Sequence, residues 1–486
     1  MPQLNGLTKK VAMALPGKPS DVCQCHRKDF APWTGEIHGL SQALESKSWS
    51  QRVFWCIVLL VCILCGTYTT VLVVLEYIQG PTATSTTIKV VDTLELPALT
   101  ICPKVPDAFN FTGILKNIRS LIPHLDEDTC RDLIAYFVAG SGLENMDEVP
   151  YNNASYNRYL SDLFNTWSRG YSPGDFFHII QTNYGYQCQD FLVECQLGGK
   201  TYDCCKDLFR PKPVMRRGLC YETVRNVNQT EADDIGRLVV LIGLLPSVTS
   251  RDYNFTQPQT IIYVNDNWDW VIDFPRYYLY PNEWNRMHFS ATYIDLLEHP
   301  TDCTNKIFGK DAFCFVRNWL YSNVFEPFNC TIPYLPGIVN HTSICAPDTL
   351  VPDYYNTIQL VHSGSMTTHD CIPGCRRWEY TVSLQQSAAL SPFEGHTFNF
   401  EVSYYDLQYE NVKEVYTTSV PGFMSQIGGQ FGFFLGLSII TMIQILISTI
   451  TFLVTFCFSR IQKIIGRRKI ALVSVPLEEE IMKNGF

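Results

Sequence analysis

The 486-residue chain has little charge, since only 17% of its residues are Asp, Glu, Lys or Arg, whereas soluble domains average about 25%. It also lacks excess positive charge, because 37 Lys and Arg face 47 Asp and Glu, for a net charge of −10. Proteins that grip nucleic acid through its phosphates need clustered positive charge. We therefore expect no nucleic-acid partner, and we look for long uncharged segments that account for the shortage.

Signatures of common enzymes are missing as well. The sequence contains no Gly-x-Ser-x-Gly nucleophile motif, no His-Glu-x-x-His zinc motif and no glycine-rich phosphate loop. The only grouping of metal-ligand types at short spacing, Cys23-x-Cys25-His26 in a polar tail, is a weak pattern. We predict no enzymatic activity, no cofactor and no bound metal.

Two long apolar segments explain the low charge. Residues 53–78 contain one charged residue, Glu76, and residues 419–458 contain none. A helix needs about 20 apolar residues to cross the bilayer core. Each segment is therefore predicted to be a transmembrane helix.

The distribution of charge predicts the topology. Residues 1–52 carry seven Lys or Arg against four Asp or Glu, and residues 459–486 carry six against three. Basic flanks of membrane spans lie on the cytoplasmic side. We expect residues 1–52 and 459–486 to be cytosolic and the acidic residues 79–418 to be extracellular.

Glycosylation sequons and cysteines support the same topology. Thirteen of the nineteen cysteines lie within residues 79–418, and disulfides form outside the cytosol. Because thirteen is odd, at least one of these thiols is free or pairs between chains. All six N-x-S/T sequons lie there too, at Asn110, Asn153, Asn228, Asn254, Asn329 and Asn340.

The extracellular segment has a mixed pattern. Thr87–Ile101 and Thr397–Tyr405 alternate as strands do and are expected to pair beside the two spans, and Leu238–Leu245 reads as a strand or as buried core. Leu115–Phe137 and Ser155–Trp167 have helical spacing. We predict one disulfide-rich α+β ectodomain on two membrane helices.

The second span is unusually polar and rich in glycine. Gly428, Gly432 and Gly436 recur every four residues, which permits close helix approach. Polar groups at membrane depth typically meet each other or line water. A straight helix over residues 427–458 would be about 48 Å long at 1.5 Å per residue, against a core of about 30 Å. The segment must therefore tilt, project outward or break, and carbonyl groups freed at a break can coordinate a cation.

Four motifs follow one another in the chain. They are His38-Gly39 before the first span, Leu99-Thr-Ile-Cys102-Pro after it, Cys204-Cys205 with Gly218-Leu-Cys220-Tyr, and Gly428-Gly-Gln-Phe-Gly432 followed by Gly436-Leu437-Ser438. Together they resemble the degenerin / epithelial sodium channel / acid-sensing ion channel superfamily, and the third is similar to its invertebrate degenerin and pickpocket branch. The resemblance covers nearly the whole chain.

This resemblance implies a trimeric cation channel of the plasma membrane, homomeric or heteromeric, surrounded by lipid and with a hand-like ectodomain built on a palm β-sheet. It also implies a sodium-preferring pore that amiloride blocks, with sodium as the permeant ion and with gating by an extracellular stimulus such as a peptide, protons or mechanical force. Gly436, Leu437 and Ser438 would form the filter, with Gln444 below it. Gating roles would fall to His38, Gly39 and Ser425.

The resemblance also implies disulfide pairs. Cys195 would pair with Cys204 or Cys205, and Cys130 and Cys188 have no implied partner. The other implied pairs are Cys102–Cys220, Cys303–Cys375, Cys314–Cys371 and Cys330–Cys345.

The chain departs from the family pattern in the pore. Leu437 is bulkier than the usual filter residue, and Gln444 and Ile447 replace acidic residues, so sodium preference over potassium stays open. Gly80-Pro81 stands where the acid-sensing branch has paired histidines, so proton activation of that type is not supported.

Two alternatives share the two-span outline. An ATP-gated trimeric channel would need basic residues for phosphate, for which Arg210–Arg217 is the only candidate cluster. A scavenger-type lipid receptor would not need a polar, glycine-rich second span.

Overall fold

The computed structural model describes most of residues 39–458, and the chain divides into two units. The undescribed positions are 1–38, 145–152, 267, 336, 340–342, 360–370, 437, 439, 442, 445, 448, 452 and 459–486. We call Thr82–Val415 the disulfide-rich unit. The described residues up to Pro81 and from Tyr416 form the helical unit. Each unit is described by itself below.

The described residues form the following helices and strands, given in chain order. The helices are α1 (Leu40–Glu45), α2 (Trp49–Gln79), α3 (Phe111–Leu121), α4 (Glu127–Gly140), α5 (Ala154–Ser168), α6 (Pro173–Tyr184), α7 (Cys188–Phe191), α8 (Asp233–Gly236), α9 (Ala312–Leu320), α10 (Glu326–Phe328), α11 (Pro347–Leu350) and α12 (Val420–Leu435). The strands are β1 (Thr82–Val90), β2 (Leu94–Glu95), β3 (Ala98–Pro103), β4 (Leu192–Leu197), β5 (Lys200–Tyr202), β6 (Phe209–Val214), β7 (Gly218–Thr223), β8 (Asn228–Gln229), β9 (Leu238–Ile242), β10 (Thr260–Asn265), β11 (Tyr277–Leu279), β12 (Glu283–Asp295), β13 (Thr304–Phe308), β14 (Gly374–Ala388) and β15 (Phe398–Tyr416).

The larger sheet has the strand order β13–β14–β12–β15–β9–β4–β5, with β1 paired to β15. Strand β12 runs antiparallel to β14 from Glu283 opposite Ala388 to Asp295 opposite Arg376, and parallel to β15. Strand β1 contains the start of the predicted segment Thr87–Ile101 and pairs with β15. The hydrogen bonds from Thr87 and Val91 go to Asn411 and Leu407, whereas Phe398–Tyr404 of the second predicted segment pairs with β9 and β12. Pro97, which has no backbone N–H, separates β2 from β3, and β3 enters a second sheet of order β11–β10–β3–β7–β6.

Helices α3 to α6 pack around Phe137, which is 1% exposed. Its ring lies 5.8 Å from those of Trp167 and Phe176 in edge-to-face contacts, a geometry that aromatic pairs favour. The helical spacing of Leu115–Phe137 corresponds to two helices, because Pro123 falls between α3 and α4. Helix α4 starts anew, its first turn capped by the Asp126 carboxylate, which accepts the Thr129 N–H at 2.9 Å.

Six disulfides lie in the disulfide-rich unit. Cys195 pairs with Cys204 and Cys188 with Cys205, which resolves the choice that the sequence left open. Of the thirteen cysteines in this unit, all of them described, Cys130 alone is unpaired, and burial raises the pKa of its thiol to about 11. The remaining bonds are those implied by the resemblance, Cys102–Cys220, Cys303–Cys375, Cys314–Cys371 and Cys330–Cys345.

The helical unit contains α1, α2, α12 and the helical residues between 440 and 458. Helix α2 has 31 residues and is, among the described residues, the one helix that is both long and apolar enough to cross a membrane. Its Tyr77 ring stacks on Phe423 of α12 at 4.1 Å. Close to the middle of α2, a Cβ on Gly66 would lie 3.2 Å from Phe434 Cβ, so glycine allows the two helices to approach.

A buried ionic cluster connects distant parts of the disulfide-rich unit. Arg216 and Arg217, in the turn between β6 and β7, each contact both Glu144 and Asp273 within 3.3 Å. Arg276 contacts Glu144 at 3.0 Å and also pairs with Asp273. Burial opposes the charged form of Glu144, but the three guanidinium groups outweigh it and lower the pKa of that carboxyl to about 2.

Replacing Glu144 with Gln should destabilise the protein. The substitution leaves three buried guanidinium groups with one carboxylate, and breaking a buried ion pair costs roughly 3–5 kcal/mol. Because the folded-state pKa of Glu144 lies below its ordinary value, the stabilisation is present above that ordinary value and is lost as the pH falls toward 2. Thermal unfolding of purified E144Q should therefore occur well below wild type at pH 7, with a smaller gap at pH 3. Glu394→Gln, at an exposed position, is the control, and equal midpoints at pH 7 for all three proteins would contradict the role of the cluster.

Candidate ion pathway and gate

The second apolar segment is interrupted at the glycine predicted to form the filter. Helix α12 starts after Ser419, whose hydroxyl accepts the Gly422 N–H at 3.3 Å. It ends at Gly436, which has φ of +64° and donates its N–H to the Gly432 carbonyl at 3.0 Å. Glycine adopts this left-handed conformation without the steric cost that a Cβ imposes. The sequence left open whether the long second segment tilts, projects outward or breaks, and the structure shows that its helix breaks here.

Ser438 restarts the helix on the other side of the break. Its Oγ accepts the Thr441 N–H at 3.1 Å and shares a hydrogen bond of 2.9 Å with Thr441 Oγ1, which is the arrangement of a helix N-cap. Thr441 is 7% exposed. Leu437, the middle residue of the predicted filter, lies outside the described residues. The last carbonyl groups of any helix lack the partners that a continuous helix supplies, and carbonyl groups of this kind can coordinate cations.

Two glycines of α12, Gly428 and Gly429, lie beside open space. Around Gly428 and Gly429, no atom of the described residues lies within 4 Å of the position that a Cβ would take. Ser425, one turn earlier, is exposed, and so is Gln444 beyond the break. Besides the stacking of Tyr77 on Phe423, α12 contacts α2 where Phe434 lies against Gly66, a contact that the sequence did not predict. A single glycine inside a long apolar helix was the available signal.

The segment before α2 turns at Gly39. This residue has φ of +87° and directly precedes α1. A Cβ there would lie 3.5 Å from Leu59 Cδ1 of α2, so the turn rests against the first span and the space would admit a methyl group. The position therefore favours glycine because of its backbone conformation, and not because a side chain would lack space. His38, its predicted gating partner, lies outside the described residues.

Hydrogen bonds join the residues that follow α2 to those that precede α12. Helix α2 ends at Gly80, which has φ of +60°. Thr417 donates both its N–H and its hydroxyl to the Pro81 carbonyl, each at 3.0 Å. Gly80 and Pro81 thus end the first helix and hold the start of the second segment.

The predicted glycosylation sites lie on the surface wherever they are described. Asn110 and Asn153 are also helix caps, accepting the N–H groups of Gly113 and Tyr156 through Oδ1. Asn340 lies outside the described residues. The five exposed asparagines are Asn110, Asn153, Asn228, Asn254 and Asn329.

The basic segment Arg210–Arg217 is paired within the protein. Arg210 and Lys212 contact the fully buried Glu222 at 3.2 and 3.4 Å, and its two C-terminal arginines belong to the buried ionic cluster. A phosphate would have to displace these carboxylates. The geometry gives no support to an ATP-gated channel.

Comparison with known proteins identifies similar sequences over most of the chain. A family model described as amiloride-sensitive sodium channel matches residues 34–447. The bile acid-sensitive ion channel of Homo sapiens is 24% identical over 474 residues, covering 91% of this chain and 90% of that protein. Its counterpart in Mus musculus is 24% identical over 470 residues, covering 91% of each. A solved proton-activated chloride channel overlaps with a TM-score of 0.27 at 7% identity, covering 79% of this chain and 92% of that one, and a score this low supports no argument.

Removing the Ser438 hydroxyl should alter ion selectivity. Ser438→Ala deletes a helix cap worth about 1 kcal/mol at the break, so the backbone around Gly436 loses its fixed position. Ser419→Ala is a matched control, because it deletes a cap of the same kind at the far end of α12. We expect a changed sodium-to-potassium permeability ratio for S438A and an unchanged ratio for S419A. Identical ratios in both variants and wild type would place Ser438 outside the filter.

Proposed function

Because the chain belongs to the amiloride-sensitive sodium channel family, whose members form trimeric cation channels of the plasma membrane, we propose that it is a subunit of a sodium-selective channel that amiloride blocks. Residues 419–458 line the pore in this proposal. The observation that carries it is the break at Gly436, where one apolar segment ends a helix and begins another at Ser438.

The glycines of α12 support assembly around a common axis. Gly428 and Gly429 have open space where a Cβ would be. By contrast, Phe434 of α12 lies against Gly66 of α2 in the same chain. Small residues on a membrane helix allow close packing with another helix. In the proposed trimer, three copies of α12 meet along these glycines.

Sodium selectivity rests on oxygen atoms of the break, not on carboxylates. The ring of acidic residues common in the family is replaced by Gln444, whose side chain is exposed in the chain. The oxygen of an amide can coordinate a passing ion, but a neutral amide does not concentrate cations as a ring of carboxylates does. We therefore propose a sodium channel of low conductance.

Topology follows from the charge distribution. We propose that residues 53–78 and 419–458 span the membrane, that residues 1–52 and 459–486 are cytosolic, and that residues 79–418 are extracellular. The exposed sequon asparagines and the six disulfides, all in this last segment, support this assignment.

The stimulus is proposed to act on the extracellular segment. Peptide, protons and mechanical force are the stimuli that the resemblance suggested. Because the relatives are named as bile acid-sensitive channels, we add amphipathic organic acids to these candidate stimuli.

Ser425→Phe provides a test of the proposal that needs no known stimulus. If three copies of α12 pack closely near Ser425 in the closed state, added volume costs that state roughly 1–3 kcal/mol, and about 1.4 kcal/mol is tenfold in the open-to-closed ratio. We expect sustained inward sodium current that amiloride blocks, recorded from cells expressing this chain alone. Met424→Phe, which adds a ring at the neighbouring exposed position, is the control and should stay silent.

Two results would contradict this proposal. Silent S425F channels present at the surface at wild-type levels would refute the packing of α12 at this point. A sustained current that carries anions, or that ignores amiloride, would refute the sodium-channel function itself.

Gly39→Ala should reduce opening. A side chain at φ of +87° strains the backbone by about 1–3 kcal/mol, and this strain displaces the turn that rests against α2. In the S425F background, we expect a lower current per surface channel with unchanged surface labelling. Gln42→Ala, on the exposed face of α1, should leave the current unchanged, and an equal current in G39A would show that the turn has no part in gating.

A further inference from the structure

Helices α2 and α12 contact each other at two points that share one register. The Tyr77 ring stacks on Phe423 at 4.1 Å, and Gly66 lies against Phe434. Tyr77 follows Gly66 by 11 residues in α2, and Phe423 precedes Phe434 by 11 residues in α12. Equal spacing on both helices is what an antiparallel pair in a fixed register produces. At 1.5 Å per residue, the two contacts are about 16 Å apart along the helices.

The contact at Gly66 is the one nearer to the break. Phe434 lies in the last turn of α12, two positions before Gly436, the left-handed residue that ends this helix. The Gly436 N–H bonds to the Gly432 carbonyl at 3.0 Å, so the backbone of Phe434 lies inside the turn that closes the helix. Any shift of Phe434 relative to α2 therefore moves the end of α12 and the start of the break.

Gly66 leaves no room for a side chain. Of the residues of α2, all of them described, Gly66 alone is buried within the chain. A Cβ there would lie 3.2 Å from Phe434 Cβ and 3.4 Å from Phe434 Cγ. Rotation of the Phe434 side chain cannot relieve the first of these contacts, because the backbone fixes the position of its Cβ. One helix would have to move by a few tenths of an ångström.

The polar groups near Gly66 find their partners within α2. The Gly66 carbonyl accepts the hydroxyls of Thr70 at 2.7 Å and of Thr69 at 3.2 Å. Thr67 donates its hydroxyl to the Ile63 carbonyl at 2.7 Å. Helices in a membrane associate by close van der Waals packing where a small residue allows it. Steric fit therefore positions α12 at this contact.

We propose that Gly66 is a positioning residue of the ion filter. By letting Phe434 pack against the backbone of α2, it sets where α12 ends and so where Gly436 and Ser438 offer oxygen atoms to an ion. The groups of a functional site must be held within about 0.5 Å of their working geometry, and a methyl group at Gly66 demands a shift on this scale. The inference rests on the proposed sodium channel, but the contact itself can be tested without any current.

Disulfide crosslinking of the full-length protein in cell membranes tests the contact. Bridged cysteines have Cβ atoms about 3.5–4.5 Å apart, close to the 3.2 Å found here. In a background with Cys62 and Cys65 replaced by Ala, G66C with F434C should form a bond within one chain on oxidation by copper phenanthroline. Mass spectrometry identifies the linked peptides. Phe433 is 84% exposed, so G66C with F433C is the matched control and should stay unlinked.

Permeability ratios in the S425F background, which supplies a sustained current, test the role in the filter. Gly66→Ala pushes α12 away from α2, and Phe434→Ala removes the ring from the other side of the same contact. We expect each to lower the sodium-to-potassium permeability ratio about threefold, equivalent to about 0.7 kcal/mol. Phe433→Ala deletes a ring of the same kind beside the contact and should keep the ratio of S425F.

The results separate the contact from the pore. A G66C/F434C pair that stays unlinked, that links between chains, or that links no more than the control pair would overturn the contact. An unchanged ratio in G66A would overturn the positioning role even if the current falls, because packing alone changes the number of channels and not their selectivity. If G66A does not reach the surface, F434A decides in the same way, and an equal change of ratio in F433A would also overturn the role. A linked pair in a protein whose S425F variant carries no sodium current would uphold the contact and refute the proposed function, and with it the role in the filter.

Discussion

The disulfide-rich unit depends on a cluster of buried charges that no single segment could form. Three arginines and two carboxylates come from the end of α4, the β6–β7 turn and the loop before β11. Each of these charges would destabilise the fold if it were buried without its partners. The ion pairs among them hold the helical region around Phe137 against the second sheet. Tyr334 reinforces this junction by donating its hydroxyl to the Gly142 carbonyl at 2.7 Å and accepting the Arg216 N–H.

The helical unit follows a different constraint, which is that backbone polar groups within a membrane need partners. Gly436 and Ser438 meet this need at the two sides of the break, the first by closing α12 with a left-handed residue and the second by capping the helix that follows. The same two residues form the proposed filter. If these residues form the filter, as proposed, one local conformation would both end a helix and offer oxygen atoms to an ion.

Much of the candidate site could be read from the chain because its signals are local. A glycine at a sharp turn, as at Gly39, or a serine shortly before a helix, as at Ser438, is recognisable from sequence because the preference lies within a few residues. The contact between Gly66 and Phe434 was not recognisable, because the partner lies on another helix. The break within the second apolar segment stood as one of three alternatives until the structure showed the backbone at Gly436.

The sequence by itself identified the family and predicted the membrane segments, the topology and a disulfide-rich ectodomain, because apolar length, charge asymmetry, sequons and ordered motifs are properties of the linear chain. It could not decide whether Cys195 pairs with Cys204 or Cys205, nor supply a partner for Cys188, since pairing depends on which thiols the fold brings within bonding distance. It indicated helical spacing over Leu115–Phe137 but not the boundary at Pro123 that separates two helices. It also left Arg210–Arg217 as an open phosphate site. Tertiary structure decided that question, because Glu144, Glu222 and Asp273 reach those side chains only in the folded protein.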